Sequence, residues 1–173
     1  MQLTCAMIIR KANKSDIGNI MLMYKSCVKG MIANGIDQWD EAYPNTQVIK
    51  EDLTAQTYFI AIEKGTIIGG IAIDRNQDKT YLPIKWKDTS DSFLVVHRLA
   101  VKAEFWKNGI GKSLMLFAES LVTERSLQSI RLDTYSGNPK TMNFYLRLGY
   151  TKLGHIYLKE GRNEYYCFEK IIK

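Results

Sequence analysis

Residues 105–115 read FWKNGIGKSLM, and this stretch decides how the rest of the chain is organised. An aromatic pair precedes a short polar turn, glycines stand at 109 and 111, and apolar residues then recur at helical spacing. Ile110, Leu114, Phe117, Leu121 and Val122 fall on one side of a helix over 109–125, with Lys112, Glu119, Ser120 and Glu124 largely on the other. Ahead of the turn, SFLVVHRLAV (92–101) is a long strand, so the chain passes from strand through turn directly into helix. The first amides of such a helix have no internal partners and sit at its positive dipole end, which makes the turn an anion site. Glycines at 109 and 111 clear Cβ atoms from the approach to the backbone. The same two residues would also suit a tight strand-to-helix turn that binds nothing.

Two nucleotide motifs overlap this turn, and each lacks a required glycine. GKS at 111–113 is the tail of a Walker loop whose first glycine would fall where Trp106 stands. Without it the loop cannot wrap its amides around two phosphates of ATP or GTP. The dinucleotide fingerprint G-x-G-x-x-G fails at Leu114.

The flanking sequence supplies the layer around the crossover. MIIRKA (7–12) reads as a first strand, and Ser15-Asp16 opens a helix with Ile17, Ile20, Met21, Tyr24 and Val28 on one side. YFIAIEKGTIIGGIAID (58–74) is a hairpin turning at Lys64-Gly65, and IRLDTY (130–135) is a further strand. Asn138-Pro139 is an N-cap followed by proline at the first helical position, and Gly149 stops that helix. YTKLGHIYL and EYYCFEKII flank a turn at 159–163 as a closing hairpin. The expected fold is α/β (α+β) over 1–173 as one domain. Helices flank a mixed, mostly antiparallel sheet, with a central strand-turn-helix crossover from 93 to 135.

Composition narrows the function. The 173 residues are 46% hydrophobic and 24% charged, which suits one packed domain and argues against disorder. No apolar stretch reaches the roughly 18 residues of a membrane span, and the start MQLTCAMIIRK lacks a signal-peptide layout, so a cytoplasmic protein is expected. Cys5, Cys27 and Cys167 form no C-x-x-C pair, and His97 and His155 lie far apart, so no metal is expected. A net charge of +6 suits an anionic ligand, while the scattering of Lys and Arg argues against a nucleic-acid surface.

The turn Trp106-Lys107-Asn108-Gly109-Ile110-Gly111 is preceded by HRLAVKAEF and followed by SGNPKTMNFYLRLGY (136–150). Together these resemble the GNAT family of N-acetyltransferases, whose turn reads [Q/R]-x-x-G-x-[G/A] and whose later segment reads N-x-x-(x-x-x)-F-Y-x-x-x-G-[FY]. The resemblance implies acetyl transfer from acetyl-CoA to a primary amine of a small molecule, peptide or protein, by direct attack in a ternary complex. With the metal, nucleic-acid and membrane partners that composition argues against left out, a monomer or homodimer is expected. The backbones of Leu99 and Val101 would meet the pantetheine arm, while Lys107, Asn108, Gly109, Ile110, Gly111 and Lys112 would meet the pyrophosphate. Asn138 would touch the arm as well as cap its helix, and Tyr145 would contact the cofactor and protonate the leaving thiolate. The residues alone also allow Tyr145 to be a core tyrosine beside Phe144 and Leu148. Trp106 replaces the family's glutamine or arginine, so one side-chain contact changes.

The general base is less defined, because the strand carries no interior acid where family members often place a glutamate. His97 lies on the period-two face of Leu99 and Val101, and its reference pKa of about 6.5 suits a base. Asp91 with a water chain is the other candidate. GIDQWDEAYP (35–44) gathers Trp39 and Tyr43 with Asp37, Asp40 and Glu41, a loop suited to a cationic amine. Its aromatics could equally pack a helix against the sheet. A non-catalytic acyl-CoA-binding module is the alternative function.

Overall fold

Asn13 and Asp16 cap each other where the first helix begins. The Asn13 side chain accepts from Ser15 N at 2.9 Å, and the Asp16 carboxylate accepts from Asn13 N at 2.8 Å. Arg10 donates twice to the same carboxylate, at 2.8 and 2.9 Å. The structure, a computed structural model, describes residues 6–172, which form two compact units. One comprises the chain up to Ile73 with Arg98–Phe117, the other Asp74–His97 with the chain from Ala118 onward. Cys5 lies outside the described residues.

The first unit contains β1 (Ile8–Lys11), α1 (Ile17–Ala33), α2 (Thr46–Thr54), β2 (Tyr58–Glu63) and β3 (Thr66–Asp74) up to Ile73. Helix α1 buries Ile20, Met23, Tyr24, Cys27, Val28 and Met31, one stripe at helical spacing. Each such side chain contributes roughly 1.5–3 kcal/mol when fully buried. Ile49 and Leu53 of α2 and Tyr58 and Ile60 of β2 complete this core. Helix α2 has little signature in the sequence beyond Asn45, which caps it by accepting from Val48 N at 3.0 Å. Only two apolar residues one turn apart, Ile49 and Leu53, mark its buried side.

The second unit holds the start of β4 (Phe93–Val101), β5 (Ser129–Tyr135), α4 (Pro139–Arg147), β6 (Thr151–Ile156) and β7 (Tyr165–Ile171). Helix α3 (Ile110–Glu124) connects β4 to β5, as a parallel pair requires, and Phe93–Val96 lie in parallel register with Ser129–Leu132. The other registered pairs, β1–β2, β2–β3, β5–β7 and β6–β7, are antiparallel. Strand order is β1-β2-β3-β4-β5-β7-β6, the mixed, mostly antiparallel sheet expected.

A buried ion network fixes the segment between β3 and β4 within the second unit. Arg131 is 4% exposed, donates to Glu169 Oε1 at 3.2 Å and to the Asp88 carbonyl at 2.6 Å, and lies 3.9 Å from the Phe93 ring centre. Glu169 also accepts from Lys87 N at 2.7 Å. With both charges paired and hydrogen-bonded, burial is tolerated. No helix of the described residues is long and apolar enough to cross a membrane.

Candidate active site

In the first unit, β4 ends at Val101 and a 3₁₀ turn over Ala103–Phe105 brings the chain to the glycine turn. Gly109 has φ +80°, the left-handed region that glycine enters without a Cβ penalty. A Cβ built there meets nothing within 4 Å, so the turn opens onto free space. Ser113 N donates to Gly109 O at 3.0 Å, the first bond of α3. The amides of residues 110–112, one turn earlier, have no helical carbonyl to reach. The Asn108 amide is engaged, donating to the Phe105 carbonyl at 3.4 Å. Lys107, Asn108 and Lys112 are exposed beside the turn. These donors and charges suit a pyrophosphate.

Trp106 is half-buried and is part of the turn's construction. Its Nε1 donates to the Val101 carbonyl at 2.7 Å, and its ring lies against α1 where a Cβ on Gly30 would approach it to 2.8 Å. The Val101 carbonyl is therefore shared with the protein's own indole, which the sequence reading did not anticipate. Arg98 brings a second correction. Its φ of +51° interrupts the two-residue alternation of β4, on which the expected common face of His97, Leu99 and Val101 depended.

The aromatic and acidic loop of the first unit divides. Trp39 is 8% exposed and meets Tyr24 edge-on at 5.7 Å, a core position. Tyr43 is half-buried with its hydroxyl 3.5 Å from Arg98 Nη1, and Asp40 accepts from Ala42 N and Tyr43 N within its own turn. Asp37 and Glu41 are exposed.

In the second unit, Asn138 caps α4 by accepting from Thr141 N at 3.4 Å, with Pro139 at the first helical position and Gly149 at φ +84° beyond the end. Two turns in, Tyr145 is 4% exposed among Phe144, Tyr150 and Phe168, with ring centres at 5.1, 5.9 and 5.9 Å. Burial, aided by the charge of Asp133, raises its phenol pKa well above the ordinary value. The hydroxyl keeps its proton at any working pH.

His97 Nε2 lies 3.0 Å from Asp74 Oδ1. Burial of Asp74 favours its neutral form, but the hydrogen bond and charge of His97, with the Asn76 amide, outweigh this and lower its pKa. An ionised carboxylate only accepts, so Nε2 is the donor to Asp74 and Nδ1 is the ring nitrogen left for another partner. Asp91 is exposed, 3.9 Å from Arg75. The sequence reading missed Asp133 on β5, which accepts from Tyr81 Oη at 2.5 Å and whose pKa burial pushes up. Its signal was an acid in an otherwise strand-forming run, IRLDTY. Among the described residues, no group of three His, Cys, Asp or Glu is placed to hold a metal ion.

A strand running through a glycine turn into a helix N-terminus is an arrangement that recurs at phosphate-binding sites. The model of the acetyltransferase (GNAT) family matches residues 26–150, and the chain belongs to that family. Its structure is similar to that of a GNAT-family acetyltransferase from Streptococcus agalactiae, at 26% identity over 95% of each chain with a TM-score of 0.83. A putative acetyltransferase from Staphylococcus aureus superposes with a TM-score of 0.75, at 22% identity over 96% of this chain and 99% of that one. PaiA N-acetyltransferase from Thermoplasma acidophilum, in complex with coenzyme A, has a TM-score of 0.71 at 18% identity, over 96% and 99% of the two chains.

Proposed function

We propose that this chain is an acetyl-CoA-dependent N-acetyltransferase that acetylates a primary amine of a small molecule, peptide or protein in a ternary complex. The observation that carries this is the open turn at Gly109 at the start of α3, where the first amides have no carbonyl one turn earlier in the helix, flanked by the exposed Lys107 and Lys112. Family membership and the coenzyme A complex of the Thermoplasma acidophilum relative support it.

Acetyl-CoA supplies the activated acyl group as a thioester. The amides of Ile110, Gly111 and Lys112 hold the pyrophosphate, and the Leu99 main chain, with Val101 to the extent Trp106 allows, aligns the pantetheine arm. Asn138 makes a polar contact to that arm. His97, oriented through Nε2 by Asp74, takes a proton from the acceptor ammonium at Nδ1. Tyr145 would give its phenolic proton to the departing sulfur, with Asp133 close enough to help keep that phenol protonated. Tyr43, Asp37 and Glu41 recognise a cationic acceptor, with Trp39 supporting the loop from the core.

The test is release of free thiol from acetyl-CoA across a panel of amines and peptides, with mass spectrometry of the product. Amine-dependent thiol release with one acetyl group added supports the proposal. Binding without turnover on any acceptor would favour a non-catalytic acyl-CoA-binding module.

A further inference from the structure

Arg98 is a non-glycine residue held at φ +51° inside a strand, and the first unit braces it from both its backbone and its side chain. The Tyr24 hydroxyl donates to the Arg98 carbonyl at 2.9 Å, and the Tyr58 hydroxyl donates to the Tyr24 oxygen at 2.8 Å. Both tyrosines are at most 1% exposed. Burial raises both phenol pKa values, so each remains a donor. On the side-chain side, Arg98 Nε and Nη2 reach Asp52 at 2.9 and 2.6 Å. Burial opposes the charge on Arg98, and the Asp52 carboxylate together with Tyr43 outweighs it. A Cβ on Gly70 would collide with the Tyr58 hydroxyl, so β3 leaves room for the hydroxyl that starts this chain of donors.

A left-handed residue costs of order 1–3 kcal/mol and persists only where its surroundings over-determine it. We propose that Tyr58, Tyr24 and Asp52 are positioning residues that fix the bend of β4 at Arg98 and thereby aim the main chain of Leu99–Val101 along which the acyl-bearing arm of the cofactor lies. This rests on the reading of 99–112 as the acetyl-CoA strand and turn. The anion turn lies several residues further on and keeps its own donors when the bend relaxes, so a relaxed bend misplaces the thioester more than it weakens binding. Small misplacements of a reacting group cost up to about a hundredfold in rate. Arg98 also approaches Tyr43, so the same brace ties the proposed acceptor loop to the cofactor strand.

The test compares wild type, Tyr24→Phe and Gly70→Ala by calorimetry with acetyl-CoA, steady-state thiol release and hydrogen exchange of the 97–102 segment. Gly70→Ala removes no polar atom and crowds the hydroxyl end of the Tyr58 ring, so the ring must shift. The expected result is a fall of about tenfold or more in kcat, an acetyl-CoA Kd within threefold of wild type, and faster exchange confined to 97–102. Should Tyr24→Phe fail to fold, Gly70→Ala and Asp52→Asn carry the same expectation. A lowered Tm with kcat and local exchange unchanged would make the brace purely structural and overturn the proposal alone. Wild-type protein that binds no acetyl-CoA would overturn both this and the reading on which it rests.

Discussion

The indole Nε1 of Trp106 donates to the main-chain carbonyl of Val101 at 2.7 Å, tying the end of β4 to the turn that opens α3. The residue that departs from the family's turn motif thus holds the turn in place from inside. Trp106→Phe keeps most of the packing against Gly30 and loses this bond, which is worth about 1 kcal/mol. A small drop in Tm is expected together with a severalfold rise in the Kd for acetyl-CoA. Trp106→Gln restores the family's side chain but empties the space beside Gly30, and thermal melts should show it to be the less stable of the two.

The two glycines of the turn should respond differently. Gly109 needs its left-handed backbone, so Gly109→Val strains the fold and the site together. Gly111 lies in the first turn of α3, where valine is no worse a helix former than glycine. For Gly111→Val, Tm should stay within a few degrees of wild type while acetyl-CoA affinity falls about tenfold or more, read by melting and titration calorimetry. Equal losses in folding and binding would make this a tight turn without a ligand.

Tyr145→Phe keeps the ring among Phe144, Tyr150 and Phe168 and removes only the hydroxyl. Turnover should fall on the order of ten- to a thousandfold, the usual range for a lost general acid, with acetyl-CoA affinity and Tm nearly unchanged. Full turnover in this variant would return Tyr145 to the core.

Asp133 links stability to function with opposite signs. Burial raises its pKa in the folded protein above that of the unfolded chain, so the folded state binds more protons between those two values. Wild-type stability is therefore lost as pH rises from the ordinary aspartate range, about pH 4, through the folded pKa. Asp133→Asn still accepts from Tyr81 and should not show this loss. Denaturant melts at several pH values should find it the more stable protein at neutral pH, while thiol-release assays find it slower. Asp74 runs the other way. Its lowered pKa adds stability above about pH 4 that disappears as pH falls, so Asp74→Asn should flatten the acid limb of the stability curve.

The parts legible in the sequence were those written in neighbouring residues. Asn138-Pro139 and Gly149 bounded α4 correctly, and the glycines at 109 and 111 together with the apolar stripe at 110, 114 and 117 located the turn and α3. The hairpin at Lys64-Gly65 formed with both residues at positive φ. The hidden parts depend on long-range pairing. Asp74 and His97 are 23 residues apart, and Tyr81 and Asp133 are 52 apart, so only folding brings them together. The left-handed Arg98 carries no local signal, because arginine does not favour that region and only its tertiary contacts to Tyr24 and Asp52 sustain it. For Trp39 the sequence allows both a ligand-facing and a packing role, and its burial against Tyr24 comes from long-range contact.

Titration calorimetry of acetyl-CoA into the full chain, with a parallel thermal melt, bears most directly on the turn at 107–112. One saturable site is expected, with a Kd on the order of micromolar to submillimolar, within the usual range of enzyme substrate affinities. At a hundredfold excess over Kd the folded state should gain about 2.7 kcal/mol, seen as a clear rise in Tm. No heat of binding and no change in Tm at millimolar acetyl-CoA would contradict it.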